Sequence, residues 1–97
     1  MENFPWFENY SKGVAKSIDP DQYQSVMEII DESLAKYSDR IAFDGMGASM
    51  TYAKLDELSR NFAAYLQSIG LKKGDRVAIM MPNVLQYPIA LFGAIRA

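Results

Sequence analysis

The stretch from Gly70 to Ala97 constrains this chain most. Gly74-Asp75 is a turn signal, and Arg76-Val77-Ala78-Ile79-Met80-Met81 after it is an almost unbroken apolar run closed by Pro82-Asn83. A strand without polar alternation is covered on both faces, the pattern of a parallel sheet flanked by helices. Val84 to Ala97 then reads as a helix with hardly any polar face, and such a helix is buried or lies in a membrane. Both elements need partners, and the chain reaches Ala97 before supplying them. The expected fold class is therefore α/β, as an incomplete front portion of a larger layered domain, in the order helix, hairpin, helix, buried strand, helix.

Composition narrows the function classes. The 97 residues contain neither cysteine nor histidine, which removes disulfides, thiolate nucleophiles, Cys/His zinc sites and every histidine-based triad. Ten basic and twelve acidic residues are well mixed, for a net charge of −2. No basic patch exists to hold a phosphate backbone, so nucleic acid is not an expected partner. Met1-Glu2-Asn3 is not the basic start of a secretory signal, and the apolar run from Val84 to Ile95 falls short of the ~20 residues that span a bilayer.

Two segments are expected. Residues 1–24 form an irregular lead, with Phe4, Trp6, Phe7 and Tyr10 crowded among Pro5, Gly13 and Pro20. Its aromatics either lie across the body of the domain or touch a membrane surface or partner, a role that Trp and Phe suit and that acidic Glu2 and Glu8 oppose. Residues 25–97 form the truncated domain. There Ser25-Val26-Met27-Glu28 has capping-box spacing, and Val26, Ile29, Ile30, Leu34 and Tyr37 follow at helical intervals. Ile41–Asp44 and Ala48–Met50 read as a hairpin around Gly45-Met46-Gly47, with both glycines available for positive φ. Thr51 is placed to cap a second helix whose stripe is Leu55, Leu58, Phe62, Leu66 and Ile69, and Gly70 stands where helices end. Asn83 is expected to cap the third helix, with a kink or late start at Pro88.

Four features invite a chemical reading, and each has a plainer one. Asp31-Glu32 are adjacent carboxylates, but successive helix positions diverge by about 100°, so a solvated face is expected. Gly45-x-Gly47 lacks the third glycine of a dinucleotide fingerprint, since position 50 is Met. Lys72-Lys73 stand without a glycine-rich phosphate loop and read as a solubilising turn. Asn83 is the one polar side chain at the carboxyl end of the expected strand, where α/β sheets bind ligands, and capping is its simpler role. No catalytic, cofactor-binding or metal-ligating residue is assigned to any position.

The order Thr51-Tyr52-x-x-Leu55, then Gly70-Leu71-x-x-Gly74-Asp75-Arg76-Val77-Ala78-Ile79, then Pro82-Asn83 and an apolar helix, resembles the N-terminal region of adenylate-forming enzymes. The lead Trp6 to Tyr23, with Ile18-Asp19-Pro20-Asp21-Gln22-Tyr23, and the run from Pro82 to Ala97 resemble bacterial long-chain fatty-acid–CoA ligases in particular. The resemblance implies a parent enzyme that activates a fatty acid with ATP and magnesium through an acyl-adenylate, then passes the acyl group to coenzyme A. It implies that the phosphate loop, the adenine pocket and the catalytic lysine lie downstream, so that this portion is an inactive scaffold whose partner is the rest of the same domain. A homodimer through the N-terminal segment and a cytoplasmic location, in loose contact with the inner face of the membrane, are also implied. Many relatives carry Glu where Lys54 stands, so the reciprocal capping bond to Thr51 is expected to be lost. The alternatives are a stand-alone, non-catalytic α/β interaction module and a peripheral membrane-association segment.

Overall fold

The structure, a computed structural model, describes residues 4–97; the reading of Met1-Glu2-Asn3 lies outside the described residues. After a 3-10 turn at Pro5–Asn9 come α1 (Val26–Lys36), β1 (Ile41–Gly45), β2 (Ala48–Thr51), α2 (Tyr52–Ser68) and α3 (Gln86–Arg96). These are the elements of a partial α/β domain, three helices with a two-stranded antiparallel sheet.

Local chemistry sets the helix ends. The Ser25 hydroxyl accepts the Glu28 amide at 3.1 Å, and Glu28 reaches back to the amide of Gln24 rather than that of Ser25. Thr51 Oγ1 accepts the Lys54 amide at 3.1 Å. The capping bond that Lys54 forgoes is offset by the preceding turn: Tyr52 N–H donates to the Arg40 carbonyl and Ala53 N–H to that of Ser38. Three of the four free amides at the start of α2 are thus paired. Lys54 Nζ itself pairs with Glu57 at 3.2 Å. At the other end Gly70 takes φ +95°, with Leu71 N–H on the Leu66 carbonyl and Gly70 N–H on that of Gln67. That pair of bonds is a Schellman stop.

The hairpin pairs Gly45 with Ala48 and Ile41 with Thr51, and its register shifts between Ile41 and Phe43. The shift frees Ala42 to pack on the core. Its two-residue turn is Met46-Gly47, at φ +52° and +80°, the signature of a type I′ turn. Of the two expected glycines only Gly47 uses positive φ. Gly45 instead lies under Leu85, where an added Cβ would sit 3.7 Å away in ordinary contact.

The core is small. Leu34, Met50 and Leu55 are buried together, with Ile30, Tyr52, Leu58, Ile89 and Phe92 packed around them. A second contact joins α2 to α3 through small residues: Ser59, Ala63, Ala90 and Gly93 are all buried there. Ser59, 0% exposed, bonds its hydroxyl back to the Asp56 carbonyl at 3.1 Å.

Several expectations are corrected. Arg76–Met81 belongs to no sheet among the described residues, because a strand needs a neighbouring ladder and β1 and β2 pair with each other. Val77 and Met81 are exposed and Met80 is 99% exposed. The last helix starts late, at Gln86, with Leu85 and not Asn83 at its cap position and no side-chain cap bond. Pro88 is thereby its third residue, where a missing N–H costs nothing. The helix is buried on one face only; Tyr87 and Ile95 remain exposed, as do Val26 and Ile29 of α1 and Ile69 beyond α2. The lead aromatics do not lie across the domain. Phe4 stacks on Trp6 at 4.4 Å between centroids, and Phe7 meets Phe4 and Tyr10 edge-on. The 3-10 turn packs against none of the other described elements.

These departures show in the dimensions. The radius of gyration is 17.2 Å, against about 12–13 Å for a compact chain of this length. The accessible surface is 7832 Å², where a folded monomer of this mass exposes about 5,600 Å².

Candidate functional site

Without cysteine or histidine, any chemistry here must come from carboxylates, cationic side chains, hydroxyls and amides. The structure gathers such groups in one place, where α1, α2 and α3 meet. Arg96 reaches from the end of α3 to Asp31 Oδ1 at 2.9 Å and Asp56 Oδ1 at 3.4 Å. Arg60 binds the same Asp56 oxygen through Nε at 2.8 Å and approaches Asp31 at 3.6 Å. The Arg96 side chain is 12% exposed and that of Arg60 is 56% exposed, so one cation is sunk between the helices and the other lies over the top. Arg96 Nε is buried without a hydrogen-bond partner among the described residues.

Two acids facing two guanidiniums cancel. Both carboxylates in the cluster are ion-paired, Asp31 by proximity to Arg96 and Arg60 with its buried Oδ1 left without a hydrogen bond, so neither is a free general base. The arrangement is a clasp between helices. It corrects the reading of Asp31-Glu32 as a simple solvated face: the two do diverge, but Asp31 joins the clasp. Glu32 takes another partner. Its carboxylate lies beside the Tyr23 phenol and, as a hydrogen-bond acceptor first and as a charge second, raises the phenol above its ordinary value of 10.0. Arg96 was missed at the sequence level; its one signal was a lone cation at the end of an otherwise apolar helix, where a buried face needs a reason for charge.

Two clefts flank α3. The first, of about 560 Å³, lies between the 71–79 segment and the helix, lined by Lys72, Asp75, Val77, Ile79, Leu91 and Ile95 among others. In it Asp75 Oδ2 accepts the Lys72 amide at 2.8 Å while Asp75 N–H donates to the Lys72 carbonyl at 3.0 Å. The loop is closed on itself, and Lys72 and Lys73 point no cradle of free amides at a phosphate. The second cleft, of about 360 Å³, lies between β1 and the start of α3 and is walled by Phe43, Val84, Tyr87, Leu91 and Phe92. Asn83 stands exposed at its edge. Gly45-Met46-Gly47 is the hairpin tip and feeds no helix. Among the described residues no three acidic side chains gather as metal ligands would, and no helix is long and apolar enough to cross a membrane.

Exposed apolar side chains at Val77, Met80, Met81, Tyr87 and Ile95 leave one side of the described residues open. The model of a family described as AMP-binding enzyme matches residues 30–97. A long-chain-fatty-acid–CoA ligase of Escherichia coli O6:H1 is 57% identical over 93 residues, which cover 95% of this chain and 17% of the ligase. The Haemophilus influenzae ligase is 53% identical over 95% of this chain and 16% of its own length. That of Bacillus subtilis is 32% identical, over 96% and 16%. The chain therefore spans about one sixth of the length of these curated relatives. No solved structure matches it.

Proposed function

Because this chain belongs to the AMP-binding enzyme family, we propose that it is the N-terminal structural portion of a long-chain fatty-acid–CoA ligase. The identity of 57% across 95% of the chain to an enzyme of that name carries the reading. In the reaction of such a ligase the fatty-acid carboxylate attacks the α-phosphate of ATP, releasing pyrophosphate and leaving an acyl-adenylate. The thiol of coenzyme A then displaces AMP to give the thioester, and magnesium shields the triphosphate. None of these steps runs through a residue of this chain. Its contribution is mechanical: the α1–α2–α3 clasp holds α3 in place, and α3 and residues 76–81 offer their uncovered sides to the rest of the large domain, whose remaining strands and helices would complete the layers. Residues 25–97 are the part built into that domain and residues 1–24 its lead.

A chimera tests this. Residues 4–97 of this chain replace the matching portion of the Escherichia coli ligase, and acyl-CoA formation is measured with a long-chain fatty acid, ATP, magnesium and coenzyme A. Activity within about tenfold of the parent is expected from the 57% identity across the exchanged portion. An inactive but folded chimera, or acyl-CoA formation by the 97-residue chain alone, would overturn the reading.

We also place the parent ligase in the cytoplasm, touching the inner face of the membrane. The support is the aromatic knob of the lead, where Trp6 is half exposed beside Phe4 and Tyr10, amphipathic rings of the kind that settle at lipid headgroups. Trp6 emission should shift to the blue on titration with phosphatidylglycerol-containing vesicles; an unchanged spectrum removes the membrane contact and leaves the ligase reading intact.

A further inference from the structure

We propose that Arg96 selects which side of α3 turns toward α2, and so acts as a positioning residue for the whole helix. An apolar stripe normally makes that choice, because a helix buries the face that removes most apolar surface from water. In α3 the stripe does not decide. Against α2 the helix buries Ala90 and Gly93, with the closest approach at Gly93, beside Ser59 and Phe62. Ile89 and Phe92 flank this contact and pack on the Leu34 core. Leu91 and Ile95 stand two positions either side of Gly93; at about 100° per residue they point about 160° away from it. Either side of the helix thus offers two large apolar side chains, and burial alone does not separate the two orientations.

Charge does. From Val77 to Ala97 the single charged residue is Arg96, and it lies three positions beyond Gly93, on the same side of the helix. Its side chain is 12% exposed and reaches Asp31 Oδ1 of α1 at 2.9 Å and Asp56 Oδ1 of α2 at 3.4 Å. The acids come from two different helices, so the planar guanidinium meets both only in the corner where α1 and α2 come together. A half-turn of α3 would swing it out of that corner and leave Asp31 only the 3.6 Å contact to Arg60. Fixing one arrangement among several of similar apolar burial is the best-attested role of a sunken polar cluster. Every contact involved lies within the 97 residues, so the selection holds whatever covers Leu91 and Ile95, and it is independent of the ligase reading.

The chain has no cysteine, so Cys introduced at two positions carries spin labels without competition. Gln67 of α2 and Gln86 of α3 are both exposed, and Gln86 lies about two turns before Gly93 on the same side. The distance between labels in Q67C/Q86C is measured by pulsed dipolar spectroscopy on the 97-residue chain. One narrow distance is expected, and Arg96→Lys, whose ammonium still reaches an acid, should keep it. Arg96→Leu should add a second population, longer by up to about 10 Å, the width of a helix. Asp31→Asn combined with Asp56→Asn, which leaves α3 untouched, should do the same. A broad distribution in the parent overturns the proposal. So does a single unshifted distance in Arg96→Leu or in the paired Asn variant, or a shift in Arg96→Lys as large as that in Arg96→Leu. Loss of helical circular dichroism in Arg96→Leu or the paired Asn variant overturns it as well, because the cluster would then be needed for folding and not for orientation.

Discussion

At Gly93 an added Cβ would lie 2.7 Å from Cδ2 of Phe62 and 3.1 Å from both Cβ of Phe62 and the carbonyl oxygen of Ser59. The Phe62 ring can turn aside, but the Ser59 carbonyl belongs to α2 and cannot. Gly93→Ala gains about 1 kcal/mol of helix propensity against an overpacking cost of about 1–3 kcal/mol. The expected result is a net loss of about 1 kcal/mol, read as a lowered urea midpoint at unchanged m-value; a more stable variant would show that the two helices have slack between them. At sequence level Gly93 shows only as a small residue in an apolar helix, and the pattern Ala90, Gly93, Ala94 says that something packs closely without saying what. The facing residue, Ser59, gives no hint of burial in its type. Met46 was illegible for a different reason: a bulky side chain is an uncommon occupant of the positive-φ turn position, so the reversal was assigned to the glycines around it.

Among the elements, caps and stops were the most legible. Ser25, Thr51 and Gly70 each do what residue type and spacing imply, because those bonds are made within a few residues of chain. The third helix starts beyond Asn83, a good cap by type, because the backbone bonds of Val84 to Pro82 and of Tyr87 to Val84 hold that corner instead. The clasp joining three helices was beyond local reasoning, since Asp31, Asp56 and Arg96 meet only through tertiary packing. Its two cations should differ in weight. Arg96→Ala leaves Asp31 only its longer contact to Arg60 and removes a side chain sunk between helices, and should cost roughly 1–2 kcal/mol. Arg60→Ala removes a mostly solvated partner and should cost no more than about 0.5–1 kcal/mol. Thermal unfolding of both variants checks the order, and equal losses would show that Arg96 is not the inner member of the cluster.

For the molecule as a whole, the class of fold was legible in the sequence, whereas the pairing of residues 76–81 was not, because an apolar run says that a segment would be covered without saying by what. Tyr23 of the lead lies beside Glu32 of α1, whose carboxylate raises the phenol. A phenol raised in the folded state favours folding while it is neutral, so that contribution is fully present below pH 10.0, the ordinary tyrosine value, and is lost as pH rises through the raised folded one. In an ultraviolet titration of tyrosinate, Glu32→Gln should bring the highest-titrating phenol down toward the others; an unchanged curve would show that Tyr23 is free of Glu32. The close approach of α3 to α2 also has a consequence during synthesis. Gly93 meets Ser59 and Phe62 across more than thirty residues of chain, an interval of roughly 2–6 s at about 5–20 residues per second of translation. Through that interval the contact face of α2 stands bare at the ribosome. Ser59 and Ala63 are small, so on that bare face the Phe62 ring is the main apolar surface a wrong partner could seize before Gly93 arrives to cover it.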